Sequence, residues 1–251
     1  MSKIISVHSF RGGTGKSNTT ANLAAILAQN GKRVGVVDTD VNSPGIHILF
    51  GVDESKLTRF LNDYLWGKCL IKETAHDVTA NLKGNIPGKV YLIPSSIKAG
   101  EIARILREGY DVGLLNDGFQ DLVEDLKLDF LLIDTHPGIN EETLLSIAIS
   151  DILLLIMRPD QQDFQGTSVT IEVARKLGVP AMFLVINKAP EALNFDELKA
   201  RAEQIYNVSV ATILPHSEEM MMLASAGIFT LLYPDHPVSI KYKQVAKLLM
   251  A

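Results

Sequence analysis

The sequence predicts an α/β fold with a doubly wound, mostly parallel sheet, and three observations favour that class. Short runs rich in valine, isoleucine and leucine recur without polar alternation, as in strands buried on both faces. Segments with helical periodicity lie between these runs. Strands and helices therefore alternate along the chain, which is the order typical of doubly wound sheets. The apolar runs are residues 3–9, 33–40, 89–96, 129–135, 151–157, 181–187 and 208–215.

The segments between the runs are predicted to be helices. The first, "KSNTTANLAAILAQNG", has an apolar face and ends on Gly31, a common helix-stop residue. Segment 52–88 is less regular, and we expect a helical excursion with a turn at "GNIPGK". We expect this excursion to lie inside one domain that covers residues 1–251. The other predicted helices are "GFQDLVEDLKL", "EETLLSIAIS", "FQGTSVTIEVARKLG", "FDELKARAEQIYN" and "IKYKQVAKLLMA".

The composition is that of an ordinary globular protein, with 47% hydrophobic and 21% charged residues. A formal net charge of −5 gives no sign of bulk nucleic-acid affinity, so such a contact needs a local patch or one built by dimerisation. Cys69 is the only cysteine, which excludes a disulfide framework and an all-cysteine metal site within one chain. The N-terminus lacks signal-peptide anatomy and Asp151 interrupts the most apolar run, so we expect a cytoplasmic protein.

The stretch "SFRGGTGKSNTT" at residues 9–20 lies between the first predicted strand and the first predicted helix, the context that a phosphate-binding P-loop requires. Its glycines allow the backbone to turn its N–H groups toward phosphate oxygens, and the helix N-terminus favours negative charge. Lys16 is predicted to reach the β- and γ-phosphates, and the Ser17 hydroxyl to ligate Mg²⁺. Phe10 occupies the position where the usual motif has its first glycine.

Two further strand ends carry carboxylates. Asp134 ends the apolar run "LLID", a pattern typical of a residue that holds magnesium through water. Asp38 and Asp40 end "VVDTD" and leave the strand on the same side, so one is expected near a magnesium-bound water and the other near an attacking water. His136, in the turn "THPG", is a candidate contact for nucleotide or a binding partner, or an ordinary loop residue.

These motifs resemble the ParA/MinD family of deviant Walker A ATPases, and the resemblance covers nearly the whole chain. That family's D-x-x-P-G switch corresponds to residues 134–138. The resemblance implies that Asn187 meets adenine and that Pro215 flanks the base. It also implies an ATP and Mg²⁺ site, with Ser17, Asp38 and Asp134 at the metal and Lys16, Asp38 and Asp40 in catalysis. The phosphate-loop residues are expected to be Arg11, Gly12, Gly13, Thr14, Gly15, Lys16, Ser17 and Asn18.

Arg11 departs from the family pattern, because the resemblance implies a signature lysine there that crosses an ATP-bound homodimer to the second copy's nucleotide. Three interpretations follow: Arg11 replaces the lysine, another cation such as Arg158 crosses instead, or ATP-driven dimerisation is lost. Arginine keeps the charge, but its planar fork contacts phosphate differently from an ammonium. In lacking the signature lysine, the chain resembles the McdA-like branch, which positions carboxysomes, although one residue does not assign a branch.

The resemblance implies a slow ATPase that positions or partitions a cargo such as a plasmid, chromosome or carboxysome. The ATP dimer is expected on non-specific nucleoid DNA, and a small ParB-like adaptor is expected to stimulate hydrolysis. No amphipathic tail follows the last predicted helix, so a MinD-like membrane-associated ATPase is kept only as an alternative to the DNA-binding interpretation. The lysine-bearing face of the last predicted helix is either simply solvated or, when two copies are brought together in a dimer, contacts DNA phosphates. The DNA-binding candidates are Lys241, Lys243 and Lys247, extended by Lys199 and Arg201.

Two other classes stay open. A metal-cluster assembly ATPase of the Mrp type resembles this chain at "DTDVNSPGIHILFG", but such proteins need paired cysteines and Cys69 is alone. A nucleotide-switched regulatory module that acts on a protein is the second class, and the sequence does not separate it from a positioning ATPase.

Overall fold

The computed structural model describes residues 2–251. One sheet of eight strands runs through it in the order β3-β4-β2-β5-β1-β6-β7-β8. Every pairing is parallel except that of β3 with β4, which is antiparallel. The strands are β1 (Lys3–His8), β2 (Arg33–Asp38), β3 (His76–Asp77), β4 (Lys89–Ile93), β5 (Phe130–Asp134), β6 (Ile152–Met157), β7 (Ala181–Ala189) and β8 (Ser209–Pro215).

All seven predicted strands are confirmed, and so is the mostly parallel, doubly wound fold. The short edge strand β3 was not predicted, because two residues show no periodicity. It lies inside the irregular segment 52–88, which otherwise forms short helical turns as expected.

Helices connect the strands and lie on both faces of the sheet. Those predicted from periodicity are present. Four helices were not predicted: α2 and α10 are only four residues long, α4 buries only Ile105, and α9 buries no residue. The helices are α1 (Lys16–Gln29), α2 (Ile46–Leu49), α3 (Leu61–Leu65), α4 (Ala99–Glu108), α5 (Gly113–Asp125), α6 (Glu141–Ala148), α7 (Gln161–Lys176), α8 (Phe195–Tyr206), α9 (Glu218–Leu223), α10 (Phe229–Leu232) and α11 (Pro237–Met250).

Each face of the sheet has its own core. Helices α1, α10 and α11 pack on one face, where they bury Leu27, Phe229 and Leu249 against strand residues such as Leu154. Helices α7 and α8 cover the other face over β6, β7 and β8, and α5 covers it over the remaining strands. Because both faces are covered, the strands need apolar side chains at successive positions, which is why their sequences do not alternate.

Helix α1 is the most enclosed helix, and two polar contacts tie it to the C-terminal helices. The Thr19 hydroxyl lies 3.1 Å from the hydroxyl of Tyr242 on α11, inside the apolar core. The Asn22 side-chain oxygen accepts a 2.8 Å hydrogen bond from the backbone N–H of Thr230 on α10. These contacts satisfy polar groups that burial would otherwise leave without hydrogen bonds.

The carboxyl ends of β1, β2, β5, β7 and β8 meet at one edge of the sheet, the place where ligands bind in open α/β folds. The predicted P-loop, acidic strand ends, Asn187 and Pro215 all lie at this edge. Within residues 2–251, no helix is both long and apolar enough to cross a bilayer.

The substitution Tyr242→Phe is expected to lower the free energy of unfolding by about 1 kcal/mol, because it leaves the buried Thr19 hydroxyl without its partner. Urea unfolding followed by circular dichroism measures this change. Tyr233→Phe is the matched control, since Tyr233 is 42% exposed and its loss of a hydroxyl should change stability little. Equal stability of the two variants would contradict a stabilising role for the Thr19–Tyr242 contact.

Candidate functional site

A cavity of about 570 Å³ opens at the carboxyl edge of the sheet. Its volume lies within the range typical of small-molecule sites. Met220 and Met221 of α9, with Ala224 and Ser225 directly after that helix, form one wall, and Leu49 lies on another. Predicted site residues that line the cavity are Gly12, Gly13, Gly15, Lys16, Ser17, Asn18, Asp40, Asn187 and Pro215.

The loop before α1 has the conformation that phosphate binding requires. Gly13 and Gly15 have φ angles of +74° and +101°, a region that favours glycine, and α1 begins directly after Gly15. Lys16 is only 7% exposed and lies close enough to Asp134 to oppose the rise of that carboxyl's pKa. The Thr14 hydroxyl is buried and has no hydrogen-bond partner among residues 2–251. The helix N-terminus, the loop and the ammonium together favour an anion here.

The end of β7 contacts this loop from the side. The Asn187 amide nitrogen donates to the Thr14 carbonyl oxygen at 2.8 Å, and the Lys188 ammonium donates to the Gly13 carbonyl oxygen at 2.8 Å. The Asn187 side-chain oxygen accepts from the Lys188 backbone N–H, also at 2.8 Å. Asn187 therefore lies at the cavity as expected, although its contact with adenine stays a prediction. Lys188 was not predicted as a site residue, although its basic side chain directly follows the strand-end Asn187 in the sequence.

Two carboxylates form a buried pair behind the cavity. Asp38 and Asp134 are direct neighbours in the register of β2 and β5, and both are almost fully buried. Burial, followed by the charges of Asp134 and Asp40, raises the pKa of Asp38 well above its ordinary value. Burial likewise raises the pKa of Asp134 to about 6, although Lys16 and the Ser17 hydroxyl oppose the shift. The Thr20 hydroxyl donates to Asp134 at 3.3 Å.

This pair fits a divalent cation. Two desolvated carboxylates repel each other, and a cation beside them and Ser17 would offset that repulsion. In residues 2–251, no group of three or more His, Cys, Asp or Glu side chains is arranged to hold a metal alone. That is compatible with Mg²⁺, which keeps several waters and binds through one or two carboxylates plus phosphates. The metal-binding roles of Ser17, Asp38 and Asp134 stay predictions.

Asp40 lies at the cavity between Ser43 and the turn at residues 134–138, which is called the switch turn below. One of its carboxylate oxygens accepts hydrogen bonds from the Ser43 N–H at 3.1 Å and the Ser43 hydroxyl at 3.0 Å. The same oxygen lies 3.8 Å from Nε2 of His136, whose Nδ1 is 2.7 Å from the Pro137 carbonyl oxygen. The second carboxylate oxygen has none of these contacts, so it is free to accept from water in the cavity.

The switch turn is anchored to the phosphate loop. The Gly138 N–H donates to the Ser9 carbonyl oxygen at 3.1 Å. Deeper in the sheet, Nδ1 of His8 lies 2.7 Å from the Thr135 hydroxyl. Burial, followed by the charge of Lys16, lowers the pKa of His8 to about 3, so this imidazole is neutral at physiological pH. The switch turn therefore contacts the phosphate loop directly through Gly138 and the end of β1 through Thr135.

Arg11 and Arg158 do not line the cavity of their own chain. Arg11 lies 3.6 Å from one carboxylate oxygen of Asp160 and 3.6 Å from one of Asp163, the residues at the start of α7. Arg158 contacts the same two carboxylates at 3.0 and 3.3 Å. Both cations predicted to reach a nucleotide are therefore held on the chain's own α7, and contact with a second copy's nucleotide stays a prediction.

The structure does not bring the predicted DNA-binding residues together in one patch. Lys241, Lys243 and Lys247 lie on α11, which packs on the α1 face of the sheet. Lys199 and Arg201 lie on α8, which packs on the opposite face. The guanidinium of Arg201 lies 5.6 Å from the ring centre of Phe164 on α7. The expectation that α8 extends the α11 cluster is therefore wrong, because the sheet separates the two helices.

A strand–loop–helix phosphate site, a strand-end aspartate beside it and a parallel sheet together define a P-loop nucleotide-binding domain. A family model described as an AAA domain matches residues 2–179. The chain belongs to that family and is a P-loop ATPase of the ParA/MinD type.

Three known proteins are similar to this chain. An uncharacterised ATP-binding protein of Methanocaldococcus jannaschii is 29% identical over 98% of this chain and 87% of its own length. An iron–sulfur cluster carrier protein of Pseudomonas fragi is 26% identical over 97% of this chain and 83% of its own length. The septum site-determining protein MinD of Pyrococcus horikoshii, solved with Mg-ADP, superposes with a TM-score of 0.81 at 21% identity, covering 99% of this chain and 96% of that one.

The raised pKa of Asp134 predicts a specific pH dependence for the nucleotide-free protein. A carboxyl with a pKa of about 6 when folded and 3.8 when unfolded contributes stability below pH 3.8, and that contribution is lost as the pH rises through 6. Asp134→Asn removes this loss, so its stability relative to the wild type should increase between pH 4 and pH 7 by up to about 3 kcal/mol. Urea unfolding at both pH values measures the difference, and a pH-independent difference would contradict the prediction.

Proposed function

We propose that this protein is an ATP-dependent dimerising switch that positions or partitions a cargo, binding non-specific DNA in the ATP state and leaving it after partner-stimulated hydrolysis. One observation carries the proposal. Two arginines stand beside the nucleotide cavity without lining it, and each is paired with carboxylates of α7 that it must leave to reach a phosphate. Such cations suit a nucleotide on a second copy of the chain, which makes ATP binding and dimerisation interdependent.

The cavity residues have distinct tasks in this proposal. Backbone N–H groups of the phosphate loop and the Lys16 ammonium hold the phosphates and stabilise charge that develops on them. Asp40, fixed through one oxygen by Ser43, orients the attacking water with its other oxygen. Ser17, Asp38 and Asp134 would hold Mg²⁺, which supplies charge neutralisation when bound. Asn187 and Pro215 would border the base.

Arg11 is the better candidate for the cation that crosses to the second copy. Its side chain is 39% exposed and its two ion pairs are long, at 3.6 Å each. Arg158 is 30% exposed, and its backbone N–H also donates to Asp163 at 2.8 Å, which fixes it to the start of α7. The pair with Asp160 is exposed and contributes little stability, and the buried Asp163 keeps its contacts with Arg158 when Arg11 exchanges carboxylate for phosphate.

The DNA contact is proposed for α11 rather than for α8. Lys243 and Lys247 are exposed, and Lys241 is half-buried on the same helix. Two copies of α11 in a dimer would double this positive charge, and binding to phosphates would then depend steeply on salt and little on sequence. We propose that a small adaptor protein stimulates hydrolysis, and that the complex is associated with the nucleoid in the cytoplasm.

Cluster assembly is the second candidate, favoured by the similarity to an iron–sulfur cluster carrier. Against it, the chain has one cysteine, and burial raises the pKa of the Cys69 thiol. A raised pKa disfavours the thiolate that binds metal. Cargo positioning therefore remains the better-supported proposal.

Asp40→Ala protein, in which hydrolysis should be slow, is expected to bind random-sequence duplex DNA in ATP–Mg²⁺ and not in ADP–Mg²⁺. Fluorescence anisotropy over a salt series measures this binding. In the same background, replacing Lys241, Lys243 and Lys247 by Gln should weaken binding and reduce its salt dependence. The matched control replaces Lys199 and Arg201 by Gln and should leave both unchanged. Absence of DNA binding in both nucleotide states would contradict the proposal, and lipid or protein would then be tested as the surface that the ATP state binds.

In the Asp40→Ala background, Arg11→Ala is expected to weaken ATP-dependent dimerisation at least about tenfold, because a charge-assisted contact with phosphate is lost. Arg11→Lys should retain dimerisation and Arg158→Ala should resemble the parent protein. Light scattering coupled to gel filtration in ATP–Mg²⁺ measures the mass. If Arg158→Ala instead abolishes the dimer, Arg158 is the crossing cation, and if neither alanine variant matters, neither arginine crosses.

A further inference from the structure

We infer that Lys188 is a positioning residue of the nucleotide site, which orients the N–H groups of the phosphate loop through its contact with the Gly13 carbonyl. This inference rests on the proposed nucleotide binding at the phosphate loop, but not on dimerisation or DNA binding. Lys188 is exposed, lines the cavity and follows Asn187 at the end of β7. Nothing in the phosphate-loop motif itself points to it.

The backbone at Lys188 departs from regular strand geometry. Its φ angle is +55°, in the left-handed region that non-glycine residues rarely adopt. The pairing of β7 with β8 shifts register between Ile186 and Ala189, so Lys188 lies in an irregularity of the strand. The Asn187 side-chain oxygen accepts the Lys188 N–H at 2.8 Å and holds this conformation. Irregular backbone of this kind is common beside functional sites, where it redirects a side chain.

The redirected side chain reaches the phosphate loop. The Lys188 ammonium donates to the Gly13 carbonyl oxygen at 2.8 Å, and the neighbouring Asn187 amide donates to the next carbonyl, that of Thr14. Two consecutive loop carbonyls are therefore bound by two consecutive residues of β7. Gly15 also lies so close to the Asn187 amide that a Cβ at this position would clash with it.

Peptide geometry connects these contacts to phosphate binding. In a planar trans peptide, the carbonyl and the following N–H point in opposite directions. Holding the Gly13 and Thr14 carbonyls toward β7 therefore directs the N–H groups of Thr14 and Gly15 away from β7. A positively charged donor also polarises the peptide, which strengthens its N–H as a donor to an anion. Lys188 thus acts on the phosphates through the loop, because its ammonium donates one of its N–H groups to the Gly13 carbonyl.

Two substitutions test this role against a matched control. Lys188→Met keeps an unbranched apolar stem and removes the charged donor, whereas Lys188→Arg restores a charged donor. Lys127→Met is the control, because Lys127 also has a positive φ, of 49°, and its backbone N–H belongs to the turn after α5. The ligands are ATP and inorganic pyrophosphate with Mg²⁺, since pyrophosphate occupies a phosphate site but carries no base.

Calorimetry is expected to show that Lys188→Met weakens both ATP and pyrophosphate at least about tenfold, as loss of a charge-assisted hydrogen bond predicts. Lys188→Arg should recover part of the loss, and Lys127→Met should bind like the wild type. Unchanged pyrophosphate affinity of Lys188→Met would overturn the inference, whether ATP alone weakens or only the melting temperature falls. Failure of the wild-type protein to bind either ligand would instead contradict the proposed nucleotide site.

Discussion

The phosphate loop between β1 and α1 is held by three neighbouring elements, and the organisation of the site depends on these contacts. From one side, β7 donates hydrogen bonds to the Gly13 and Thr14 carbonyls. The switch turn after β5 donates through Gly138 to the Ser9 carbonyl. Arg11, within the loop, is paired with the carboxylates of α7. Glycines make the loop adaptable, so its binding conformation requires these outside contacts.

Charge at the carboxyl edge of the sheet is unbalanced in the absence of ligand. Asp38 and Asp134 share a buried site in which both carboxyls have raised pKa values, and Lys16 offsets only part of the repulsion. Buried groups of this kind lower the stability of the nucleotide-free protein while preparing a place for a cation and an anion. Stability and binding therefore make opposing demands on the same few side chains, as is common at functional sites.

The contacts of Arg11 connect the phosphate loop to the start of helix α7. Asp160 and Asp163, at the start of α7, form ion pairs with both Arg11 and Arg158. Any movement of Arg11 toward a phosphate therefore changes the charge balance at that helix. Helix α7 also carries Gly166, against which the Phe10 ring packs closely. Phe10, which replaces the first glycine of the usual motif, thus connects the phosphate loop to α7, so the loop, the switch turn and α7 are in direct contact.

The fold class, all seven long strands, the phosphate loop and the acidic strand ends were predictable from sequence, because apolar runs and the glycine–lysine–serine pattern are local signals. The short β3, helices α2, α4, α9 and α10, and Lys188 were not, since short length, few buried residues or an unusual backbone conformation define them. The placement of α8 and α11 on opposite faces of the sheet was also not predictable from the sequence. Periodicity shows which side of a helix is buried, but not on which face of the sheet the helix packs. The sequence alone determined that a nucleotide site exists. Only the tertiary structure decided that Lys188 contacts Gly13 and that Arg11 pairs with Asp160 and Asp163, because these contacts join residues about 150 to 175 positions apart.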